Sequence, residues 1–188
     1  MDIAIDLTNI ILETPRLYLR CWRQEDLEDF YAYASVPGVG EMAGWKHHAS
    51  MEESKRILDS FISEKNIFAL VWKPTGKVIG SLGLHPSWAS SEPEYQKYAV
   101  KEIGYVLSKD YWGQGIMPEA VTAVIRFCFE KLSLAALTVG HFEENLQSRR
   151  VIEKCGFRFV KNSVYGAKDL GKSFPNRDYI LLNPEKQH

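Results

Sequence analysis

The sequence predicts a mixed β-sheet with helices against it, α/β in class and α+β by some schemes, on three observations. Two apolar runs, Ile67 to Trp72 and Lys77 to Leu84, are joined by Lys73-Pro74-Thr75-Gly76, which is a hairpin signal. From Val100 onward, strand-like runs alternate with helical ones, so strands come partly in series and partly separated by helices. No repeat, low-complexity tract or linker divides the chain, so residues 1–188 are expected to form a single domain.

Arg16 to Trp22 alternates leucine or cysteine with larger or charged residues and reads as the first strand. Gln24 to Ser35 places Leu27, Phe30, Tyr31 and Ala34 at helical spacing and stops before Pro37-Gly38. Residues 37 to 48 are a loop rich in glycine and aromatics. Ser50 caps a helix running to about Glu64, and Glu53 completes a capping-box pattern. After the hairpin, Pro86 to Tyr98 is long enough for a functional loop. Val100 to Leu107 is the fourth strand, and its Gly104 marks a bulge or a close backbone approach; a bulge there would splay the strand from its neighbour. A helix from Pro118 to Lys131 is apolar around most of its circumference and must lie buried on a sheet. Leu134 to Gly140 is a strand, and Asn145 to Cys155 is a helix closed by Gly156. Phe157 to Lys161 and Asp178 to Leu182 are the last strands, for a mostly antiparallel sheet of seven with about four helices.

Hydrophobic residues at 45%, charged residues at 25% and a formal net charge of -1 suit a soluble globular protein. They give no electrostatic case for nucleic acid or an anionic membrane. No apolar run has the length of a membrane span, and Asp2, Asp6 and Glu13 precede the first basic residue, so a cytoplasmic location is expected. Cys21, Cys128 and Cys155 are few, odd in number and widely spaced, which speaks against a disulfide framework or a zinc site. Glu41, His47 and His48 lack further ligand spacing, so no metal is expected.

Tyr111-Trp112-Gly113-Gln114-Gly115-Ile116-Met117-Pro118-Glu119 is a glycine turn opening the buried helix. Free N–H groups at such a helix start, together with the positive end of its dipole, make a place for phosphate, expected between residues 112 and 118. No Lys-Ser or Lys-Thr follows the glycines, so this is not a P-loop; nor does it carry the dinucleotide fingerprint.

That turn resembles a known family once its neighbours are added. These are the strand with Glu102 and Gly104, Asn145-x-x-Ser148, Cys155-Gly156-Phe157, and the opening Glu13-Thr14-Pro15-Arg16-Leu17-Tyr18-Leu19-Arg20. Jointly they resemble the GNAT superfamily of acetyl-CoA-dependent N-acetyltransferases, and within it the branch of the ribosomal-protein N-terminal acetyltransferases, from about Thr14 to Leu182. The chain departs from the family pattern with Trp112 where Gln or Arg is usual and Met117 where Ala or Gly is usual.

The resemblance implies acetyl-CoA as cosubstrate. Trp112, Gly113, Gln114, Gly115, Ile116 and Met117 would bind its diphosphate, and the backbone of Tyr105, Val106 and Leu107, with Asn145 and Ser148, its pantetheine arm. It implies direct attack by a primary amine, with Glu102 as base and Ser148 protonating the thiolate; Tyr105 and Tyr111 are further candidate acids. A strand N–H near Val106 or Leu107 would stabilise the carbonyl oxygen. For Glu102 the competing reading is a solvated or cross-strand ion pair. Tyr33, Trp45 and Trp88 would wall the acceptor pocket. The acceptor is a protein α-amine or a small molecule such as a polyamine, amino acid or antibiotic, a homodimer fits the family, and the rival function is a non-catalytic acyl-CoA-binding module.

Overall fold

The structure is a computed structural model that describes residues 2–186. Its eight strands form one sheet: β1 (Leu12–Glu13), β2 (Leu17–Cys21), β3 (Ile67–Trp72), β4 (Val78–His85), β5 (Val100–Leu107), β6 (Ala136–Phe142), β7 (Arg158–Ala167) and β8 (Lys172–Leu182). Their order across the sheet is β1-β2-β3-β4-β5-β6-β8-β7, and only β5 and β6 run parallel. The strand beyond the expected seven is the two-residue β1 at the edge. The four α-helices are α1 (Leu27–Ala34), α2 (Met51–Glu64), α3 (Ile116–Glu130) and α4 (Leu146–Lys154).

Burial follows the strand period. Ile103 and Leu107 of β5 point into a core shared with Ala120, Val121, Val124 and Phe127 of α3, while Val106 points the other way, against the core under α1 and α2. The sheet is therefore covered on both faces along β2 to β5, which is why β3 reads as an unbroken apolar run.

The Ser50 cap forms, with its hydroxyl accepting from the Glu53 amide at 3.2 Å. Glu53 answers one residue further back than a capping box requires, accepting from the Ala49 amide at 2.7 Å. The largest departure from expectation is the β7–β8 hairpin, whose strands extend across residues 162–167 and 172–177. Gly166, Gly171 and Pro175 read as loop residues, but the pairing is tertiary. Pro175 costs the sheet little because β8 meets the end of β6 there, and its carbonyl still accepts from the Glu143 amide at 2.9 Å.

Candidate active site

The pairing of β5 with β6 covers only Val100↔Ala136, Lys101↔Leu137 and Glu102↔Thr138, after which the strands part. β5 stays on β4 to Leu107, and β6 stays on β8 to Phe142, so a cleft opens between β5 and β6. No register shift interrupts the β4–β5 ladder at Gly104, so the expected bulge is corrected: the splay arises without one. Gly104 serves a close approach instead. It faces Gly83 across the ladder, and a Cβ on either would stand 3.2 Å or less from the His85 ring, which lies over the pair.

Hydrogen-bond parity decides which backbone groups face the cleft. The Ser108 amide donates to the Ile79 carbonyl, and the Ala135 amide to the Ala99 carbonyl. Alternation then turns the N–H and C=O of Ile103, Tyr105 and Leu107 toward the cleft and those of Val106 toward β4. The structure thus brings Tyr105 and Leu107 to the cleft through their backbones, and not Val106. On the far wall the same parity presents Gly140 and Phe142, which sequence reasoning missed.

At the end of β5 the chain turns through Trp112 into α3. Gly113 and Gly115 both sit at φ 73°, the left-handed region where a side chain is disfavoured. The expected window of free amides narrows at both ends: the Trp112 amide donates to the Lys109 carbonyl at 3.1 Å, and Pro118 has no N–H. Among the described residues the amides from Gly113 to Met117 make no backbone hydrogen bond outside the helix, at the positive end of α3's dipole. The Trp112 indole N–H caps the Leu107 carbonyl at 2.8 Å, so this departure from the family pattern braces the turn against β5. Gln114 braces it too, its side-chain Nε2 donating to the Asp110 carbonyl at 2.8 Å.

A clamp that the sequence did not reveal fixes this turn to the amino-terminal strands. Glu119 accepts from the Thr14 hydroxyl at 2.6 Å, the Arg16 amide at 2.9 Å and the Arg16 Nε at 2.7 Å. Partial burial raises the Glu119 pKa, but these bonds outweigh it and hold the carboxyl below its ordinary value. Arg16 also donates to the Gln114 carbonyl at 3.0 Å, leaving a cation beside the free amides.

The two faces of β5 carry different chemistry. On the α3–α4 face the Tyr105 hydroxyl lies 2.8 Å from Ser148 Oγ, and Ser148 donates its amide to Asn145 Oδ1 at 3.0 Å. Asn145 is thus the N-cap of α4, and its amide also donates to the Met42 carbonyl at 3.3 Å. Burial raises the Tyr105 pKa, and the Ser148 bond offsets only part of that, so the phenol keeps its proton. Tyr111 packs against Trp72 with ring centroids 5.3 Å apart.

On the opposite face Glu102 accepts from the Thr138 hydroxyl at 3.2 Å, which in turn lies 2.7 Å from Ser87 Oγ. Among the described residues no ion pair involves Glu102. Burial pushes its carboxyl up to about 7; the Thr138 bond lowers it in part, and the charge of Asp178 raises it further. Asp178 and Asn176 are buried on β8, joined at 2.8 Å, and lie across Gly140. The cue for them was legible, since Asn176 and Asp178 alternate with Ile180 on one strand face, where polar residues in a core pattern are exceptional.

The aromatics proposed for the acceptor wall are scattered. Tyr33 is 3% exposed, in the core under α1 and α2. Trp45 packs over the Gly40 backbone and beside His48. Trp88 lies under Lys161 Nζ, 4.2 Å from its ring centroid, in the small core cluster with Val100 and Ile180. Glu41 organises its loop, accepting from the Gly38 amide at 2.7 Å and from the His47 ring at 2.7 Å. Against the opposing effect of partial burial, those bonds bring its pKa down to about 2. Burial raises the pKa of Cys21, of Cys128 (to about 12) and of Cys155, so none is poised as a thiolate. Among the described residues no three His, Cys, Asp or Glu gather as a metal site, and no helix is long and apolar enough to cross a membrane.

A cleft beside a strand, with free amides at its mouth, is what a long phosphorylated thioester needs, and comparison with known proteins decides the family. The model of the Acetyltransferase (GNAT) domain matches residues 16–158. The chain belongs to the GNAT acetyltransferase family. It is 29% identical over 186 residues to the uncharacterized N-acetyltransferase YoaA of Bacillus subtilis (strain 168), covering 94% of this chain and 98% of that one. Among solved structures it is similar to the ribosomal-protein-S5-alanine acetyltransferase of Vibrio fischeri, with TM-score 0.74, 19% identity and coverage of 96% of this chain and 100% of the other. It is similar also to the spermidine N-acetyltransferase of Vibrio cholerae in complex with CoA and spermine, with TM-score 0.73, 15% identity and coverage of 93% and 100%. Both likenesses concern the fold. GNAT enzymes take their acetyl group from acetyl-CoA, and the residues present fit it: the Gly113–Met117 amides and Arg16 suit a diphosphate, and the cleft-facing groups of Tyr105 suit the amides of the arm.

Proposed function

We propose that this GNAT protein is an N-acetyltransferase that acetylates a primary amine by direct attack, with no acyl-enzyme. One observation carries the reading: a carboxyl held at about 7 and a buried phenol lie on opposite faces of β5, where that strand leaves β6. Acetyl-CoA supplies the activated acetyl group as a thioester.

Glu102 takes the proton from the bound ammonium, for which a pKa near working pH is well matched. The Leu107 amide, turned into the cleft, donates to the carbonyl oxygen as it gains charge. The Tyr105 hydroxyl gives a proton to the departing sulfur and is resupplied through Ser148, so the role first assigned to Ser148 is shared by the pair. The three thiols, all raised in pKa, favour direct transfer over a cysteine-bound acetyl group.

Thiol release from acetyl-CoA in the presence of peptides and small amines tests this directly. Tyr105→Phe is expected to lower kcat about 100-fold, and Ser148→Ala about tenfold. The double variant should be no slower than Tyr105→Phe alone, because the two groups act in series. Multiplying effects would separate their roles. Tight coenzyme binding with no thiol released by any amine would make the protein a binding module instead.

A further inference from the structure

We infer that the acceptor is a primary amine carrying a compact apolar or aromatic body, seated in a cavity between the Glu41–Ala43 turn and the tip of the β7–β8 hairpin. This rests on the acetyltransferase reading above and names the class of acceptor for that site.

The cavity holds about 270 Å3, with Met42 on one side, Leu170 and Phe174 on the hairpin side, and Phe142 at the end of β6. An apolar cavity of about 150 Å3 is enough for benzene, so one ring with a short chain fits. Its aromatic lining is built: Phe142 and Phe174 stack at 4.6 Å with planes 15° apart, and Tyr165 packs against Phe142 at 5.3 Å. Met42 is 46% exposed and Tyr165 45%, so the cavity opens within an apolar surface of the sort that marks ligand sites.

The cavity's position ties it to the cleft. The Glu41–Ala43 turn packs against β5, and the Met42 carbonyl is held by Asn145 at the start of α4. The turn therefore bridges the two sides of the cleft. Gly44, at φ 90°, lets the same loop settle on the Tyr165 ring, where a Cβ would stand 2.6 Å from Cε1. Lys109 anchors the loop's start by donating to the Pro37 carbonyl. From Phe142 the floor runs back along β6, past Gly140 with Asn176 and Asp178 across it, to Thr138 and Glu102. That path spans about 13 Å at the rise of a strand. An amine on a short chain from the cavity reaches the Asp178 carboxylate beside Gly140, about halfway along that path, and a longer chain or a peptide backbone reaches Glu102.

The charges argue against a polycation. Glu41 is occupied by the Gly38 amide and the His47 amide and ring, and the cavity's other two charged lining residues, Glu144 and Lys172, are of opposite sign. The remaining carboxyls, Asp178 and Glu102, lie together at one end of the path and suit a single ammonium, whereas a polyamine needs carboxylates spaced along its length.

Two measurements test the inference. The first is kcat/KM with acetyl-CoA for phenethylamine and a Phe-initiated tripeptide amide, against spermidine and a Gly-initiated tripeptide amide. At least tenfold preference for one of the first two is expected, and which of them leads identifies the source of the apolar body. The second is saturation-transfer NMR of phenethylamine with the coenzyme-loaded protein, which reads acceptor binding without turnover. Met42→Lys and Leu170→Lys, both at the surface loops, should each raise KM or abolish the NMR signal at least tenfold while coenzyme affinity stays unchanged. Preference for spermidine or the glycine peptide, or indifference to both variants, overturns the inference and leaves the acetyltransferase reading standing. Phenethylamine binding that both variants abolish, with no turnover, upholds the cavity and removes the enzyme. Neither binding nor turnover overturns both.

Discussion

Glu102→Gln is expected to lower kcat/KM at pH 7 by about 100-fold to 1,000-fold, the usual worth of a positioned general base. The pH dependence identifies the cause. With burial holding Glu102 at about 7, the native enzyme should gain activity up to that pH and then level off. The variant should lose that limb, and its residual rate should instead climb with the neutral fraction of the acceptor amine. The groups facing Glu102 are His85 on β4, Thr138 on β6, Asp178 on β8 and, beyond it, Lys161 on β7. Burial lowers the His85 pKa, so that ring is neutral where Glu102 titrates. Thr138 does not titrate, and Lys161 is held by Glu92 at 2.8 Å. Asp178 raises the Glu102 pKa, so Asp178→Asn should move the limb toward acid without removing it.

Glu102→Gln has the opposite effect on stability. The Glu102 pKa is raised from 4.5 to about 7 on folding, so the native state binds more protons than the unfolded state between those values. Stability falls as pH rises through that window, and above it the buried charge costs on the order of 3 kcal/mol. Glu102→Gln should therefore melt several degrees above the native protein at pH 8, with the difference gone at pH 4. Equal melting at pH 8 would show that Glu102 carries no burial cost, and with it would go the reason to expect a base near pH 7.

Coenzyme affinity should collapse when Gly113 and Gly115 are both replaced by Val. Both sit at φ 73°, where a β-branched residue is strained by about 1–3 kcal/mol, so the pair predicts a loss of about 100-fold in affinity. Steric crowding is not the cause: nothing lies within 4 Å of a Cβ at Gly113, and the nearest atom at Gly115 is Arg16 Nη2 at 3.8 Å. The strained turn would rotate its amides away from the diphosphate and spoil the start of α3. Calorimetry with coenzyme A and with pantetheine separates this from general damage, since pantetheine lacks the diphosphate and should bind both proteins alike. An equal loss for both ligands would place the defect elsewhere.

Much of this was readable from local pattern. The boundaries of β5, the Ser50 cap and the Gly113–Gly115 turn each follow from backbone chemistry over a few residues, which a sequence displays directly. The β7–β8 hairpin did not, because glycines and a proline weaken its local signal while pairing along Lys161 to Ala167 holds it together. Tyr33 shows the same limit from the other side: an aromatic near a loop looks available until packing buries it.

By itself the sequence determined the order of elements, the glycine turn at the start of α3 and the identity of a glutamate on the strand beside it. Those depend on φ preferences, capping and periodicity, which act between near neighbours. Only the tertiary structure decided that Tyr105 meets Ser148, that Val106 turns away from the cleft, that Asp178 lies near enough to raise Glu102, and that Met42, Phe142 and Phe174 enclose one cavity. These are contacts between strands and loops far apart in the chain. Hydrogen-bond parity and side-chain burial have no value until the register of the sheet is set.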